Sequence, residues 1–593
     1  MKTSLAKNTR AGNQTSVKKD STFVKCALAH KLESIERRRQ SDPPVPERGP
    51  VCRPGGACYN ARGTHAAAGP AEGCTGVIIG DQSEVIAFLD RPAAFEHAGA
   101  EVERVETHIS LVFLCGARVF KLKRAVRFPF LDFSTAELRR DYCRAEVAIN
   151  RRTAPDLYLG ARAVTRAADG SLMLDGEGEA VDWVIEMHRF DQDTLFHRLA
   201  GRDALDRHLM EDLAESIADF HLAAERRPEG GGQAGLSEAI TVNFGTFEES
   251  APGNLDVSKV HAVEAMARAF LKVLGERLDA RRDAGWVRHC HGDLHLRNVC
   301  LVDGKVTIFD AIEFNPGFAE IDMVYDLSFL LMDLDHRGQR RLANIVLNRY
   351  FDHVALHFGN GDDGLVAMPL FLAVRAAIRA QVSASTANIL SEESAVEAAR
   401  AEARAYLDLA MTYLAPPPPR LVAVGGLSGS GKSRMGREIA PFVGAAPGAR
   451  MLRSDVLRKR LAGVGSLTRL GPEHYGRDSS TRVYATLFEE AAAALETGHS
   501  VIVDAVFARP EERAGALEVA RRCGVPFNGM WLDAPPEVRI ERVSGRQRNA
   551  SDADAEVVRR QLDYDLGEIE WPIVNSDQPR PETLMRGRQI LRV

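Results

Sequence analysis

At 593 residues the chain is too long for one compact core, and its length alone predicts about three or four domains. Hydrophobic residues make up 45% and charged residues 27%, with a formal net charge of -6, which is ordinary for a soluble protein and gives no global reason to expect nucleic acid or an anionic membrane as partner. No apolar run approaches the roughly 18 residues a membrane helix needs, and the N-terminus lacks the apolar core of a signal peptide.

Residues 1 to about 75 read as a disordered, basic leader. They are rich in Lys, Arg, Gly and Pro, as in Ser41-Asp42-Pro43-Pro44-Val45-Pro46, and show neither a helical nor a strand period. A basic arm for nucleic acid is one reading; a solvated tail is the plainer one. Ordered pattern begins near Val77, and no second Met occurs until Met173, so a non-Met start codon near Val77 would make the leader an artefact of start-site choice. Four of the nine cysteines (Cys26, Cys52, Cys58, Cys74) fall in this leader without C-x-x-C spacing. The other five, Cys115, Cys143, Cys290, Cys300 and Cys523, lie in apolar or helical contexts. All are read as reduced thiols of a cytoplasmic protein rather than disulfides or a zinc site.

The next segment carries the first chemistry. Val112 to Cys115 and Val119 to Lys123 predict a hairpin turning at Gly116-Ala117. Alternation puts Lys121 and Lys123 on one face of the second strand, where one of them would reach nucleotide α/β-phosphates. Ser134-Thr135-Ala136-Glu137 is a capping-box signature for a helix start, with Leu138, Tyr142, Ala145 and Ile149 as the expected apolar stripe. Glu146 lies at the edge of that stripe, placed either to pair with a strand lysine or to face solvent. Val181 to Met187 predicts the strand leading to an interlobe hinge.

The segment His291-Gly292-Asp293-Leu294-His295-Leu296-Arg297-Asn298 is followed by two short apolar strands, Val299 to Val302 and Lys305 to Phe309, joined by Asp303-Gly304 and ending on Asp310. Phosphoryl transfer needs such a set: one carboxylate to take the acceptor hydroxyl proton, and an amide oxygen with a second carboxylate to hold Mg²⁺ on the nucleotide phosphates. These residues resemble the aminoglycoside phosphotransferase and choline kinase family, the small-molecule branch of the protein-kinase fold, over roughly 85 to 410. The resemblance implies that Asp293 is the catalytic base, that Asn298 and Asp310 are metal ligands, and that Asp326 braces the catalytic loop. One departure is that no G-x-G-x-x-G precedes the hairpin; the corresponding turn is Glu106-Thr107-His108-Ile109-Ser110, a replacement that small-molecule kinases tolerate. Glu320, Asp322, Asp333 and Asp335, near the expected acceptor site, read either as a hint of a cationic acceptor or as a solvated acidic face.

Pro416 to Pro419 form a four-proline run that cannot be helix or central strand and reads as a stiff spacer. Directly after it, the apolar run Leu421-Val422-Ala423-Val424 leads into Gly426-Leu427-Ser428-Gly429-Ser430-Gly431-Lys432-Ser433, a G-x-x-x-x-G-K-S phosphate loop. Gly426, Ser428, Gly429, Ser430 and Gly431 would curl the backbone so that N–H groups point at phosphate oxygens. Lys432 would neutralise the β/γ-phosphates, and the Ser433 hydroxyl would ligate Mg²⁺. Asp455 and Arg458 follow in an Asp-x-x-Arg arrangement. Asp504 ends a buried-strand pattern from Val501 and reads either as an acid meeting Mg²⁺ through water or as a hydrogen-bonded strand end. Arg539, Arg542 and Arg546 lie near one helical face, as a cationic lid over the transferring group or as a solvated basic helix.

Residues 420 to 593 resemble P-loop kinases that include polynucleotide 5′-kinases, gluconate kinases and zeta toxins. By that resemblance Asp455 is the base and Arg458 the anion-holding group at the acceptor hydroxyl. The whole chain is similar to bacterial proteins described as bifunctional aminoglycoside phosphotransferase/ATP-binding proteins. The expected architecture is a leader (1–75), an α+β, protein-kinase-like bilobal domain (78–415) and an α/β P-loop domain with a parallel sheet (420–593). The expected activity is ATP- and Mg²⁺-dependent phosphoryl transfer at two sites to hydroxyls of an unidentified small molecule. A non-enzymatic ATP-binding switch and AMP transfer by the first domain are the alternatives.

Overall fold

The computed structural model describes residues 77–95, 101–107, 109–128, 131–545 and 550–593. The expected leader, His108 and Arg546 lie outside the described residues.

The first unit opens with an antiparallel sheet of six strands: β1 (Glu103–Glu106), β2 (Ser110–Cys115), β3 (Arg118–Lys123), β4 (Tyr158–Arg166), β5 (Leu172–Leu174) and β6 (Glu179–His188). Their order is β1-β2-β3-β6-β4-β5. Cys115 pairs with Arg118, so β2 and β3 form the expected hairpin around Gly116-Ala117, with Gly116 at φ 56 supplying the turn. The strand expected at 181–187 is β6.

Helix α1 (Ala136–Asn150) starts where the sequence placed it, with Thr135 Oγ1 accepting from Leu138 N at 3.2 Å. Its buried face differs from the expected stripe. Arg139, Cys143, Glu146, Val147 and Asn150 point inward along with Ile149, whereas Leu138, Tyr142 and Ala145 are only half-buried. The stripe is rotated by one residue because three polar side chains have inward partners. Arg139 makes a bidentate pair with Asp182 at 2.7 and 2.8 Å, and Asn150 Oδ1 accepts from Ala311 N at 2.9 Å. Glu146, the third, stands at the centre of the face, not its edge.

The second lobe is helical. It contains α2 (Arg207–Ala223), the hairpin β7 (Val299–Val302) and β8 (Lys305–Ile308), α3 (Met323–His336), α4 (Arg340–His357), α5 (Met368–Ile389) and α6 (Glu393–Tyr413). Met323 to Asp335 of α3 are all buried, which makes it the central helix of the lobe.

The second unit is a parallel sheet of β9 (Leu421–Gly425), β10 (Arg450–Arg453), β11 (Val501–Asp504), β12 (Phe527–Asp533) and β13 (Ile573–Asn575), in the order β10-β11-β9-β12-β13. β9 and β11 are apolar without alternation because both faces are covered, and Leu421 to Val424 and Val501 to Val503 are wholly buried. Helices α7 (Lys432–Ile439), α8 (Ser454–Leu461) and α9 (Pro536–Ser544) follow β9, β10 and β12.

The four prolines fall outside helix and strand, as read, but they do not hold the units apart. One apolar core runs from the helical lobe into Leu421, Leu452 and Val503 of the parallel sheet. Arg450 of β10 is wholly buried and pairs with Asp352 at 2.8 Å and Asp362 at 3.0 Å, both in the first unit. Asn344 and Asn348 of α4 donate to the Ala449 carbonyl at 3.0 and 3.2 Å. Cys115, Cys143, Cys290 and Cys300 are buried free thiols and Cys523 is half-buried; the leader cysteines lie outside the described residues. Among the described residues, no helix is long and apolar enough to cross a membrane.

Candidate active sites

The first site forms where the β3 face, α1 and the β7–β8 hairpin meet. Lys121 and Lys123 share a face, as alternation requires, and flank the buried carboxylate of Glu146. Lys121 Nζ lies 2.8 Å from Glu146 Oε1 and 2.6 Å from Asp310 Oδ1, and Lys123 Nζ lies 2.5 Å from Glu146 Oε2. Lys123 also pairs with Glu313. Burial separates the two lysines: the Lys121 side chain is 16% exposed beside an open Asp310, whereas Lys123 is 1% exposed. The expectation of a nucleotide contact from Lys123 is therefore corrected. Two residues further along the strand, α1 and the Glu313 segment close over the face and shut Lys123 away.

Burial alone would lower the Lys121 pKa, but Asp310 and Glu146 hold it well above its usual value. Burial would likewise raise Glu146, and the two lysines instead hold its carboxyl at about 2. Glu313 is pushed up to about 7 by burial and by the Glu146 charge, against the pull of Lys123.

The loop at 290–298, which carries Asp293, leaves the strand Val287–His289 and is fixed from below. Asp326 of α3 accepts from the backbone N–H groups of His291 and Gly292, each at 2.9 Å, and from His221 Nε2 at 3.0 Å. That is the bracing position expected for it. His291 Nε2 donates to the Phe309 carbonyl at 2.9 Å, and Phe309 N donates to the Asn298 carbonyl at 3.0 Å, so the loops carrying Asp293 and Asp310 are tied together. Asn298 Nδ2 donates to the Asp293 carbonyl and to Asp293 Oδ2, at 2.9 and 3.0 Å. Both amide hydrogens are thus used on Asp293, and the amide oxygen is left for a cation. Burial would raise the Asp293 pKa, but His295, His291 and Arg379 hold it well below the usual carboxylate range, so it is ionised at neutral pH. Asp310 stands at φ 64 after β8. An amide oxygen and carboxylates on coupled loops are the hard oxygen donors Mg²⁺ prefers, so the residues present fit that ion.

The four acidic residues near this site are neither a solvated face nor a lure for a cation. Asp322, Asp333 and Asp335 are buried and consumed by Arg281, Arg337 and Arg340 respectively, and Glu320 lies 3.2 Å from Arg227. Arg337 and Arg340 lie only four and five residues after Asp333 and Asp335, whereas Arg281 and Arg227 come from well before the cluster.

The second site is the turn between β9 and α7. Gly426, Gly429 and Gly431 all have positive φ. At Gly429 (φ +85) a Cβ would come within 2.6 Å of the Arg539 carbonyl, so only glycine lets α9 approach the loop. Ser430 N donates to the Leu427 carbonyl at 3.1 Å and Ser428 N to Gln561 Oε1 at 2.7 Å, while Lys432 Nζ folds back to the Leu427 carbonyl at 3.2 Å. Ser433 is in the first turn of α7, half-buried. Two buried groups here are orphaned: the Ser430 hydroxyl, and Arg539 Nε and Nη1 on a residue only 3% exposed. Orphaned donors beside a glycine cradle fit an anionic ligand, as nucleotide phosphates are.

Asp504 ends β11, beside Val424 of the phosphate-loop strand and Arg453 of β10. Its buried carboxylate lies 3.3 Å from Arg453 Nε, so it is a hydrogen-bonded strand end at the position expected of a metal-side acid. Asp455 is half-buried in the first turn of α8, directly after β10. Arg458 departs from its expected role: Nη1 donates to the His474 carbonyl at 2.6 Å and to Ser479 Oγ at 3.3 Å, and the guanidinium lies over Tyr475. It builds the wall at 474–480 rather than offering a vacant anion hold. Arg542 Nη2 donates to the Ser576 carbonyl at 2.7 Å, tying α9 to the end of β13.

With these geometries in place, comparison with known proteins assigns the two units. Residues 156–359 match the family model of the phosphotransferase enzyme family, and residues 421–565 match that of an AAA domain. The chain therefore has a two-domain architecture, an antiparallel-sheet, APH-like lobe followed by a parallel-sheet, AAA-like P-loop domain. Two mycobacterial relatives, from Mycobacterium tuberculosis H37Rv and Mycobacterium bovis and each described only as an uncharacterized protein, are 28% identical over 474 residues, 78% of this chain and 90% of theirs. Among solved structures, a choline/ethanolamine kinase family protein from Mesorhizobium loti is 12% identical, covering 56% of this chain and 98% of that one, with a TM-score of 0.33. A gluconokinase from Sinorhizobium meliloti is 24% identical, covering 29% of this chain and 92% of that one, with a TM-score of 0.23.

Proposed function

We propose that the protein is an ATP-dependent phosphotransferase of the cytoplasm with two nucleotide sites, each transferring a γ-phosphoryl group to a hydroxyl of a small molecule. The observation that carries this reading is the placing of Asp293 and Asn298 on one loop and Asp310 on another, the two loops tied through His291 and Phe309, with the Lys121–Glu146 pair meeting Asp310. A module that only bound nucleotide would have no use for an ionised carboxylate held on the acceptor side of the metal ligands.

In the first site Lys121, oriented by Glu146, holds the α/β-phosphates, and Lys123 supports Glu146 from beneath. Asn298 and Asp310 would hold Mg²⁺, and the ion would supply positive charge against the nucleotide phosphates. Asp293 accepts the acceptor hydroxyl proton as the acceptor oxygen bonds to the γ-phosphorus, and the bond from that phosphorus to the β–γ bridging oxygen breaks to leave ADP. In the second site Gly426 to Ser433 cradle the phosphates, with Arg539 and Arg542 on the adjoining α9. Ser433 and Asp504 would hold the metal, and Asp455 takes the hydroxyl proton. On the strength of Asp455 following β10, we place this domain with small hydroxyl kinases of the gluconate kinase, polynucleotide 5′-kinase and zeta toxin kind. We place the two domains at 78–415, taking in the six-stranded sheet and the helical lobe, and at 420–593, taking in the parallel sheet.

The test is label transfer from ATP carrying radioactive phosphorus at the γ or the α position, with Mg²⁺ and a library of hydroxylated metabolites. γ-Label should enter an acceptor and α-label should remain in ADP. Transfer of α-label would establish AMP transfer instead.

A further inference from the structure

This inference rests on the phosphotransferase reading of the second site and concerns what holds the base of that site in place. β10 is the outermost strand of the parallel sheet, with β11 on one side only. An outermost strand leaves a row of N–H and C=O groups with no further strand to meet them. Arg450 N donates inward to the Ser500 carbonyl at 2.9 Å, so alternation along the strand turns the next amide, Met451 N, to the free edge. That edge faces α4 of the first unit.

Asn348 of α4 meets the edge as another strand would. Its Oδ1 accepts from Met451 N at 2.6 Å, and its Nδ2 donates to the Ala449 carbonyl at 3.2 Å. An asparagine amide carries the donor and the acceptor of a peptide group, so one side chain takes the place of a strand partner. Arg450 Nη1 donates to the same Oδ1 at 3.2 Å, and Asn344, one turn earlier on α4, donates to the same carbonyl at 3.0 Å. Beside these contacts the two units part around a cavity of about 70 Å³, lined by Asn348, Met451, Arg453 and Val456 among others. Hydrogen bonds therefore carry more of the hold on the strand there than packing does. The platform is firm, because Tyr350, two residues after Asn348, is wholly buried and its hydroxyl lies 2.9 Å from His221 Nδ1.

The strand delivers the chemistry of the second site. Two residues after Met451, Arg453 stands opposite Asp504 and reaches its carboxylate at 3.3 Å. Asp455 follows in the first turn of α8, so the direction of that helix is set by the strand end. A tilt of β10 would carry Arg453 and Asp455 together, and a misplacement of about 1 Å can cost about 10²-fold in rate.

We propose that Asn348, a residue of the first unit, is a positioning residue for the second phosphoryl-transfer site: its amide closes the free edge of β10 and fixes where Arg453 and Asp455 stand. The second site is then incomplete without the first unit.

The experiment uses the full chain carrying Lys121→Ala, so that nucleotide is held by the phosphate loop alone. Asn348→Leu keeps the shape of the side chain and removes its donor and acceptor. Asn348→Asp keeps an oxygen for the Met451 amide, while Asn344 still covers the Ala449 carbonyl. Hydrogen exchange is read by mass spectrometry separately over 449–452 and 453–458. Transfer of γ-label from ATP to water, the acceptor always present, gives turnover, and equilibrium dialysis gives ATP affinity. Asn348→Leu should speed exchange in both segments by about 10-fold, the loss of one or two hydrogen bonds. It should lower kcat by about 10- to 100-fold with ATP affinity unchanged, and Asn348→Asp should recover most of the turnover. Faster exchange confined to 449–452, turnover in Asn348→Leu equal to the parent, or equal losses of turnover and ATP affinity would each overturn the inference. Asp455→Asn separates it from the catalytic reading. If that change leaves turnover intact while Asn348→Leu still loosens 453–458, the placing of the strand stands and the phosphotransferase reading of the second site falls. If Asp455→Asn abolishes turnover and Asn348→Leu alters nothing, the reverse holds.

Discussion

Arg450 is where the two units are most exposed to a single perturbation. It belongs to β10 of the P-loop unit, but its guanidinium pairs with Asp352 at 2.8 Å and Asp362 at 3.0 Å in the first unit. Arg450→Ala removes both charge-assisted contacts and strands Asp362, which is 1% exposed, without a counter-ion. Two such hydrogen bonds are worth about 1.5–3 kcal/mol each, and breaking a buried pair by deleting one partner typically costs about 3–5 kcal/mol. We therefore expect a loss of about 3–5 kcal/mol, a large share of the roughly 5–15 kcal/mol that holds an ordinary domain folded. The assay is urea denaturation of the full chain followed by near-ultraviolet circular dichroism and by scanning calorimetry. The variant should unfold in two separated steps where the parent unfolds in fewer, because the loss falls on the junction. Asp362→Asn added to Arg450→Ala should recover part of the loss, since the stranded charge is then gone. A loss below about 1 kcal/mol with an unchanged transition, the size of an exposed pair, would refute the view that this buried junction couples the units.

Other outcomes follow from the first site. Lys121→Ala should abolish nucleotide binding there by equilibrium dialysis with little change in Tm, whereas Lys123→Met should chiefly lower Tm, because Lys123 is enclosed between Glu146 and Glu313. Asp326→Asn should cut first-site turnover by about 10²-fold or more while leaving ATP affinity near normal. Its two acceptor oxygens position the loop carrying the base rather than touch nucleotide, and displacing such a base is felt in kcat. The Glu146 carboxyl is held at about 2, below its unfolded value, so its contribution to stability is present above about pH 4.5 and lost as pH falls toward 2. Thermal melts across that window should show a shallower acid slope for Glu146→Gln than for the parent.

Much of this was legible in the sequence because the chemistry is local. The β2–β3 turn, the catalytic hairpin and the phosphate loop each lie within a few residues of chain, where alternation and glycine placement decide the backbone. The inward face of α1 was not legible, since an apolar stripe cannot reveal that Arg139, Glu146 and Asn150 are the buried groups. Their partners Asp182, Lys121 and the Ala311 amide come from distant strands and loops. Likewise the acids at 320–335 could be read as a surface because the arginine that takes Asp322 lies 41 positions before it, and because a neighbouring Arg337 or Arg340 suits an exposed helix as well as a buried pair. The junction was hidden for the same reason: Arg450 and Asp362 are 88 positions apart and on opposite sides of a proline run that reads as a spacer.

The central claim is that one chain holds two independent phosphoryl-transfer sites, and nucleotide stoichiometry tests it most directly. Equilibrium dialysis of the full chain with labelled ATP and Mg²⁺ should give two nucleotides per chain. Lys432→Ala and Lys121→Ala should each reduce this to one, and the double variant should bind none. A stoichiometry of one in the parent chain, or loss of both nucleotides on either single substitution, would contradict the account.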